Sequence, residues 1–445
     1  MSEAEVKIPK RILNNLISSL SAGVVPRVGA PYIAIGRTKE IAALLDSLQA
    51  VKDGGAAVRF LIGRYGSGKT FLMQLIRGYA LERGFLCADV DLSADQRRLC
   101  GGKGGGVATY RELMRNLASK ASPEGGALSL LLSRYYNTLV AALAEEGVMP
   151  EAPDFSARLR KKIFAQIERF ENEVGGFDFA RVLSEYFVAT LEDNEERKSA
   201  CLRWLRGEFS TKTEAKQALG FAISIIITDE NWYDFIKIWA AFSRFIGYAG
   251  LILYIDECIV LYKIVNRVSR EANYEKLLTI FNDALQGRAE GLGIFFGGTP
   301  QFLEDTQRGL FSYEALRSRL VDSRYAMGEF VNYDAPVLRL RSLSENELYA
   351  LLSRLGKLFA QKTEKPLPIS EEEQRLFLAN ALRRAGSSEL LTPREMIRDY
   401  MAVLSILDAN PEADLKRLLP RDGEPPATGA NAPSGGGIRV EDIEI

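Results

Sequence analysis

The stretch that decides the fold is residues 57–70, which read AVRFLIGRYGSGKT. Its first part, AVRFLI, is apolar enough for a buried β-strand, and the rest matches the pattern G-x-x-x-x-G-K-[ST] at every fixed position. Glycines at this spacing let the backbone wrap around a phosphate chain with successive N–H groups pointing inward. A helix predicted over residues 69–83 adds the positive end of its dipole. The predicted phosphate-binding residues are Gly63, Arg64, Tyr65, Gly66, Ser67, Gly68, Lys69 and Thr70.

Two side chains of this loop carry the chemistry that a nucleotide needs. The Lys69 ammonium group is expected to neutralise oxygens of the β- and γ-phosphates, and the Thr70 hydroxyl to ligate Mg²⁺. The cofactors predicted from the loop are therefore ATP and Mg²⁺. A GTPase is disfavoured because the guanine-recognition pattern N-K-x-D does not occur in the sequence.

A second motif lies at residues 251–257, where the apolar run LILYI is followed by Asp256 and Glu257. Ligands of open α/β sheets bind at the carboxyl ends of the strands, so Asp256 is expected beside the metal ion. Glu257 is expected to orient and polarise the attacking water. Acidic strand ends are common in loops, and it is the pairing with the phosphate loop that favours a functional role.

Five apolar strands are predicted, at residues 57–62, 85–90, 251–255, 293–297 and 336–340, with helices between them. This alternation predicts an α/β fold with a parallel sheet covered on both faces, as in P-loop NTPases. The predicted division is an N-terminal helix and first part of the core (1–109), a helical insertion (110–247), the second part of the core (248–341), a helical lid (342–419) and a disordered tail (420–445). The insertion is expected to have a partner-binding or regulatory role, with most of its aromatic residues forming its own core.

Further candidates lie near the ends of predicted elements. Thr299, after the fourth strand, is expected to sense the γ-phosphate, with capping of the next helix as the alternative. Arg394 lies in the first turn of a lid helix, where a cation is mildly unfavourable. It is expected to contact the γ-phosphate, with a surface ion pair as the alternative. Gly36 and Arg37, followed by Glu40, form a glycine turn that opens a helix, and such a turn is also found at ordinary helix N-termini.

A group of arginines, namely Arg308, Arg317, Arg319 and Arg324, follows the fourth strand. An arginine finger that reaches a neighbouring subunit's nucleotide is expected from this region, and Arg317 and Arg319 are the predicted residues. The alternative for each is a simple solvated charge.

Composition excludes several classes of chemistry. The chain of 445 residues contains no histidine, so imidazole bases and histidine-ligated metals are absent, and its four cysteines have no metal-type spacing. A net charge of −1 offers no global attraction for nucleic acid. The basic run RLRKK at residues 158–162 is a local candidate for DNA contact, although a solvated helix face is favoured. No membrane-spanning run or signal peptide is recognised, so a cytoplasmic protein is expected.

The chain resembles an AAA+ ATPase of the origin-recognition/Cdc6-like branch in five features. These are the stretch IGRTKEI, the phosphate loop, the Asp-Glu strand, the threonine at the end of the fourth strand and the later helix that begins at TPRE. More narrowly, the chain resembles the ATP-binding proteins of the BREX phage-defence system. The stretches that carry this resemblance lie between about residues 20 and 405, namely SAGVVPRVGAPYIAIGR, FLIGRYGSGKTFLMQLIRGYALERGF, DVDLSADQRRL, GVATYRELMRNLA and LTPREMIRDY.

The resemblance implies ATP, Mg²⁺, a switch or motor role among other defence-system proteins, and head-to-tail contacts between subunits at the nucleotide. It also implies that Gly36 and Arg37 contact the adenine. Two features depart from the origin-recognition pattern: few residues follow the lid, so a winged-helix DNA-binding domain is not expected, and the insertion is larger than an AAA+ core needs.

Three functions remain open from sequence. The first is an ATPase that remodels a partner or a DNA complex, and Glu257 favours it. The second is a nucleotide-gated signalling module with slow turnover. The third is a DNA-loading module.

Overall fold

A computed structural model describes residues 8–101, 104–167, 175–323, 331–385 and 391–419. Arg324 and the predicted tail at 420–445 lie outside the described residues. The described strands are β1 (Ala57–Ile62), β2 (Leu86–Asp91), β3 (Leu251–Asp256), β4 (Leu292–Gly298) and β5 (Val337–Arg339). They form one sheet in the order β2-β3-β4-β1-β5, and every pair of neighbours is parallel. The predicted α/β fold with a parallel sheet is confirmed.

The described helices fall into four groups along the chain. The first group consists of α1 (Lys10–Ser21) and α2 (Thr38–Lys52), which precede β1, and α3 (Lys69–Glu82), which follows it. Between β2 and β3 lie α4 (Gly105–Arg115), α5 (Leu128–Glu145), α6 (Phe155–Ile167), α7 (Gly176–Leu191), α8 (Glu195–Leu205), α9 (Lys212–Leu219) and α10 (Trp232–Phe245). After β3 come α11 (Ile259–Lys263), α12 (Arg267–Leu285), α13 (Pro300–Glu304) and α14 (Glu314–Leu320). The chain continues with α15 (Glu345–Thr363), α16 (Glu371–Ala385), α17 (Pro393–Ala409) and α18 (Leu415–Leu418).

Helices cover the sheet on both faces, which explains why its strands are apolar throughout. Helices α2 and α3 pack on one face, and α4, α10 and α12 pack on the other. The covering is continuous enough that every residue of β3 and β4 is buried. This arrangement leaves the carboxyl ends of the strands as the edge where polar side chains can meet a ligand.

The helices between β2 and β3 share one apolar cluster with the sheet, so they do not form a core separate from it. Trp232 and Trp239 of α10 are buried, and their indole N–H groups donate to Leu99 O (2.9 Å) and Tyr110 Oη (2.9 Å). Most of the aromatic residues that the sequence predicts to be core residues are therefore buried. Part of this region, however, is the layer that covers the sheet itself.

The C-terminal helices surround a second apolar cluster, and α1 belongs to it. Leu13, Leu16, Ile17 and Leu20 of α1 are buried against α15 and α17. Local signals set the starts of the C-terminal helices, since Ser344 forms a capping box with Glu347 and Thr392 caps α17 ahead of Pro393. The sequence-based division grouped α1 with the sheet, whereas its apolar face contacts the helices that follow the sheet.

Two further observations bear on the surface. In the run at 158–162, Arg158 pairs with Asp154, Arg160 with Glu185, and Lys162 with Glu146. These ion pairs agree with a solvated helix face. Within the part of the chain that the structure describes, no helix combines the length and the apolar character needed to cross a membrane.

Candidate functional site

The loop between β1 and α3 is shaped by glycines in the left-handed region of backbone conformation. Gly66 has a φ of 78° and Gly68 a φ of 92°, which side chains with a Cβ rarely adopt. The loop is fixed at its start because Gly63 N–H donates to Gly298 O at the end of β4 (3.1 Å). Gly68 then caps α3, so the unpaired N–H groups of the first helical turn point toward the loop's concave side.

Lys69, the first residue of α3, lies against the loop that it follows. Its Nζ atom donates to Gly63 O (2.9 Å) and Arg64 O (3.0 Å). Burial lowers the pKa of Lys69 from its ordinary value, whereas the negative charges of Asp256 and Glu257 raise it. The ammonium group therefore lies near both carboxylates that the sequence singled out.

The two motifs meet at the carboxyl edge of the sheet. Thr70 Oγ1 donates to Asp256 Oδ2 at 2.6 Å, although β4 separates the strands that carry the two motifs. Asp256 is only 7% exposed, and its Oδ1 atom accepts from Glu257 N–H (2.8 Å). A Cβ atom at Gly297 of β4 would lie 2.1 Å from Asp256 Oδ1, so this glycine leaves the space that the carboxylate fills.

Glu257 has a left-handed backbone with a φ of 57°, which is strained for a residue with a Cβ. The next residue is held in place, because Cys258 N–H donates to Gly297 O (3.0 Å). Strained backbone conformations cluster at functional sites because the surrounding structure must enforce them. The strain turns the chain at the point where Glu257 joins the lining of a cleft beside the phosphate loop.

This cleft encloses about 1100 Å³, part of it open to solvent. Gly66–Thr70 and Glu257 are among its lining residues, and much of the remaining lining is apolar. The apolar lining includes Val24, Val25, Pro26, Ile35, Leu343 and Ile397. No motif in the sequence assigns these residues to the site. The sequence feature that could have indicated them is the apolar run at residues 24–26. This run lies in a segment without helix or strand, and Val24 is exposed.

The Gly36-Arg37 turn lies at the rim of the same cleft. Both residues have a left-handed backbone, with φ values of 68° and 63°. Gly36 faces α15 closely enough that a Cβ would lie 2.7 Å from Glu347 Oε1. The Arg37 guanidinium donates to Ser67 O of the phosphate loop (3.0 Å) and pairs with Glu40 (3.4 Å). The turn thus connects α15, the phosphate loop and α2.

Arg394 and the start of α17 reach the phosphate loop from the side of the C-terminal helices. Arg394 Nη1 donates to Tyr65 Oη (3.0 Å), and the guanidinium lies 5.2 Å from the centre of the Tyr65 ring. Thr392 packs on Gly66, where a Cβ would lie 2.9 Å from the threonine Cβ. Arg394 lines the cleft, together with Pro393.

The remaining predicted site residues lie elsewhere. The Thr299 hydroxyl accepts from Phe302 N–H (3.3 Å) and caps α13, which is the alternative that the sequence left open. Arg317 lies 4.0 Å from Glu314, and Arg319 donates to Asn282 Oδ1 (3.1 Å). None of these three predicted residues lines the cleft around Lys69. An arginine finger would act on a neighbouring chain, so this placement leaves that prediction untested.

Comparison with protein families identifies the chain. A family model described as BREX system ATP-binding protein BrxC/D matches residues 8–422. The chain belongs to this family. The resemblance to BREX ATP-binding proteins is confirmed, and BrxC/D membership carries with it an ATP-binding role in phage defence. No curated protein matches the chain.

Proposed function

We propose that this BrxC/D-family protein is a Mg²⁺-dependent ATPase of the AAA+ type that couples hydrolysis to remodelling of a partner protein or a DNA complex. One observation carries the proposal: Thr70 Oγ1 and Asp256 Oδ2 lie 2.6 Å apart at the mouth of the phosphate loop. Glu257 follows directly and lines the same cleft. These positions support a phosphate cradle, two metal ligands and a carboxylate for the water within one site.

The cleft suits a nucleotide in its shape and its polarity. It is a concave site in which apolar side chains are combined with a few polar groups, which is the usual composition of a small-molecule site. The apolar lining fits a purine base, and the N–H groups and Lys69 of the phosphate loop fit phosphates. When a triphosphate binds, its oxygens can replace Gly63 O and Arg64 O as partners of Lys69 Nζ.

The donor set also suits Mg²⁺. Thr70 and Asp256 offer hard oxygen atoms, and Mg²⁺ in nucleotide sites is held by one or two protein oxygens together with phosphate and water. Among the described residues no group of three carboxylates or thiols could hold a metal by itself. When bound, the cation would neutralise charge on the β- and γ-phosphates.

Glu257 is the residue proposed to polarise the attacking water, because it is the carboxylate next to Asp256 that lines the cleft. Lys69 would hold the β- and γ-phosphates. Arg394 is proposed to contact the γ-phosphate after leaving Tyr65, and Thr299 to sense it from the end of β4. Gly36 belongs to the turn proposed to border the base.

We propose that α15, α16 and α17 form a lid over the nucleotide. The contacts of Thr392 with Gly66 and of Arg394 with Tyr65 support this, since both join α17 to the phosphate loop. The same contacts favour a second candidate, in which ATP holds the lid closed and slow hydrolysis makes the protein a signalling switch. Turnover measurements separate the two.

Assembly is part of the proposal. Arg317 and Arg319 are exposed on α14, and we propose that one of them completes the site of a neighbouring copy in a head-to-tail oligomer. Other proteins of the defence system are the proposed partners. DNA contact through residues 158–162 has little support, since Arg158, Arg160 and Lys162 are ion-paired. A cytoplasmic setting is supported by the four cysteines, which are free thiols.

The test uses two variants with different expected effects. Lys69→Ala should abolish tight ATP binding, because no other ammonium group among the described residues donates a hydrogen bond to Gly63 O of the phosphate loop. Glu257→Gln should bind ATP and leave it uncleaved, since an amide keeps the shape and does not polarise water. Calorimetry and phosphate release measure the two steps. Unchanged affinity in the first variant, or wild-type turnover in the second, would contradict the assignment.

A further inference from the structure

We infer that Arg37 is a positioning residue of the phosphate loop, which orients the Ser67–Gly68 peptide group so that its N–H faces the phosphates. This inference rests on the proposed nucleotide site. It gives Arg37 a role different from the adenine contact that the family resemblance implied. Three observations lead to it: the partners of the guanidinium, its burial, and the freedom of the peptide that it holds.

The guanidinium is held between two partners. Arg37 Nη2 donates to Ser67 O at 3.0 Å, and Arg37 Nη1 lies 3.4 Å from Glu40 Oε1. Arg37 is 9% exposed and Glu40 3% exposed. A buried carboxylate beside a buried guanidinium fixes the direction in which the arginine points, because moving either group leaves a buried charge without its partner.

A peptide group that is held by its carbonyl has a determined N–H direction. The group is planar and trans, so Ser67 O and Gly68 N–H point in opposite directions. With Ser67 O engaged by Arg37, Gly68 N–H points away from the guanidinium and is available to the ligand. A charged donor on the carbonyl also polarises the peptide and strengthens its N–H as a donor.

Without this contact the same peptide has unusual freedom to turn over. Gly68 has a φ of 92°, and a Cβ at this position would meet no atom within 4 Å. Glycine adopts φ values of either sign at similar cost. A turned peptide would present Ser67 O to the phosphates, and two oxygens would then face each other. Arg37 removes this alternative.

The position of Arg37 does not favour a base contact. Its guanidinium is engaged with Ser67 O, next to Gly68, and with Glu40, and these contacts use N–H groups that a base contact would need. The strained backbone of Arg37, with a φ of 63°, is what starts α2 at the angle that brings the side chain onto the loop.

The experiment measures three ligands by calorimetry and ligand-observed NMR: ATP, inorganic tripolyphosphate and adenosine. Arg37→Lys keeps a cation beside Glu40 and loses the planar donor that reaches Ser67 O. A second variant, Arg37→Met with Glu40→Gln, removes both charges and so leaves no buried charge unpaired. Arg341→Met is the matched control, because Arg341 pairs with Glu347 beside Gly36, and its described hydrogen bonds are to Glu347 and Ser342 and not to the phosphate loop. Melting temperatures confirm that each variant folds.

For both Arg37 variants, affinity for ATP and for tripolyphosphate should fall alike, by about tenfold or more, since a hydrogen bond to a charged group is lost. Adenosine affinity should stay at the level of the wild type and of the control. Unchanged tripolyphosphate affinity would overturn the inference, as would loss of adenosine affinity alone, which would indicate a base contact. Loss of all three ligands in a folded variant would overturn it too, by showing that Arg37 shapes the whole cleft. Absence of ATP binding in the wild type itself would contradict the proposed function, on which this inference rests.

Discussion

Substituting Gly297 by alanine should move Asp256 while leaving the identity of every residue proposed to act on the nucleotide unchanged. The new Cβ would lie 2.1 Å from Asp256 Oδ1, whereas ordinary contacts begin near 3.4 Å, so the carboxylate must retreat by about 1.3 Å. That displacement breaks the hydrogen bond of 2.6 Å with Thr70 Oγ1 and the one of 2.8 Å with Glu257 N–H. The proposed metal ligands then no longer face the same point.

A misplacement of about 1 Å in a reacting constellation can cost about 100-fold in rate, and we expect Gly297→Ala to lower ATP turnover by about that factor. Its affinity for ATP in the presence of Mg²⁺ should also fall toward the affinity without Mg²⁺. Phosphate release measures the first effect and calorimetry with and without Mg²⁺ measures the second.

Gly293→Ala is the matched control on the same strand. Its Cβ would meet Ile252 Cδ1 at 2.7 Å, which is the far end of a flexible side chain and lies away from the phosphate loop. Both variants crowd the sheet and should lose about 1–3 kcal/mol of stability. Turnover and Mg²⁺ dependence of Gly297→Ala within twofold of Gly293→Ala would refute the reasoning that this glycine makes room for a metal ligand.

Three further predictions follow from contacts already described. Hydrogen bonding from Arg341 lowers the pKa of Glu347 to about 2. The loss of stability caused by Glu347→Gln should therefore be largest above about pH 5 and become smaller as the pH falls toward 2. A difference in melting temperature between wild type and variant that stays constant with pH would contradict this. Tyr65→Phe removes one partner of the arginine on α17 and should tighten ATP binding up to about fivefold, since that contact no longer has to break; weaker binding would argue that the tyrosine hydroxyl itself contacts ATP. Mixing a chain with Arg317→Ala and Arg319→Ala with a Glu257→Gln chain should restore some turnover, and no restoration over a range of protein concentrations would show that these arginines do not act on a neighbour.

Local patterns made much of the sheet predictable. The strand at Ala57–Ile62 and the strand that ends at Asp256 are short apolar runs bounded by glycines or acidic residues, and each appears as expected. Helix α17 begins at Pro393 after its Thr392 cap, for the same local reason. Signals of this kind lie within a few residues of the element that they determine.

Contacts between distant segments were not predictable in the same way. Nothing in the local pattern places β4 between β1, which precedes the phosphate loop and Thr70, and β3, which ends at Asp256. The expectation that Asp256 and Thr70 act together came from pairing the two motifs, and their 2.6 Å contact depends on the order of the strands. The apolar spacing of α1 predicts a buried face and does not say what buries it. The role of Val24–Pro26 in lining the cleft depends on the same three-dimensional packing.

The packing of α1 against the C-terminal helices has a mechanical consequence. The bundle that they form is tied to the sheet by two separate stretches of chain, one between α1 and α2 and one between β5 and α15. Both stretches line the cleft, through residues such as Val25, Ile35 and Leu343. Because both tethers line the cleft, a rotation of the bundle about a line through them would be centred near the cleft. Helix α15 has 19 residues and is about 28 Å long. A rotation of about 10° that followed a change in the bound phosphates would therefore move the far end of α15 by about 5 Å. A protein bound to the outer end of the bundle would be displaced by this movement without contacting the ligand.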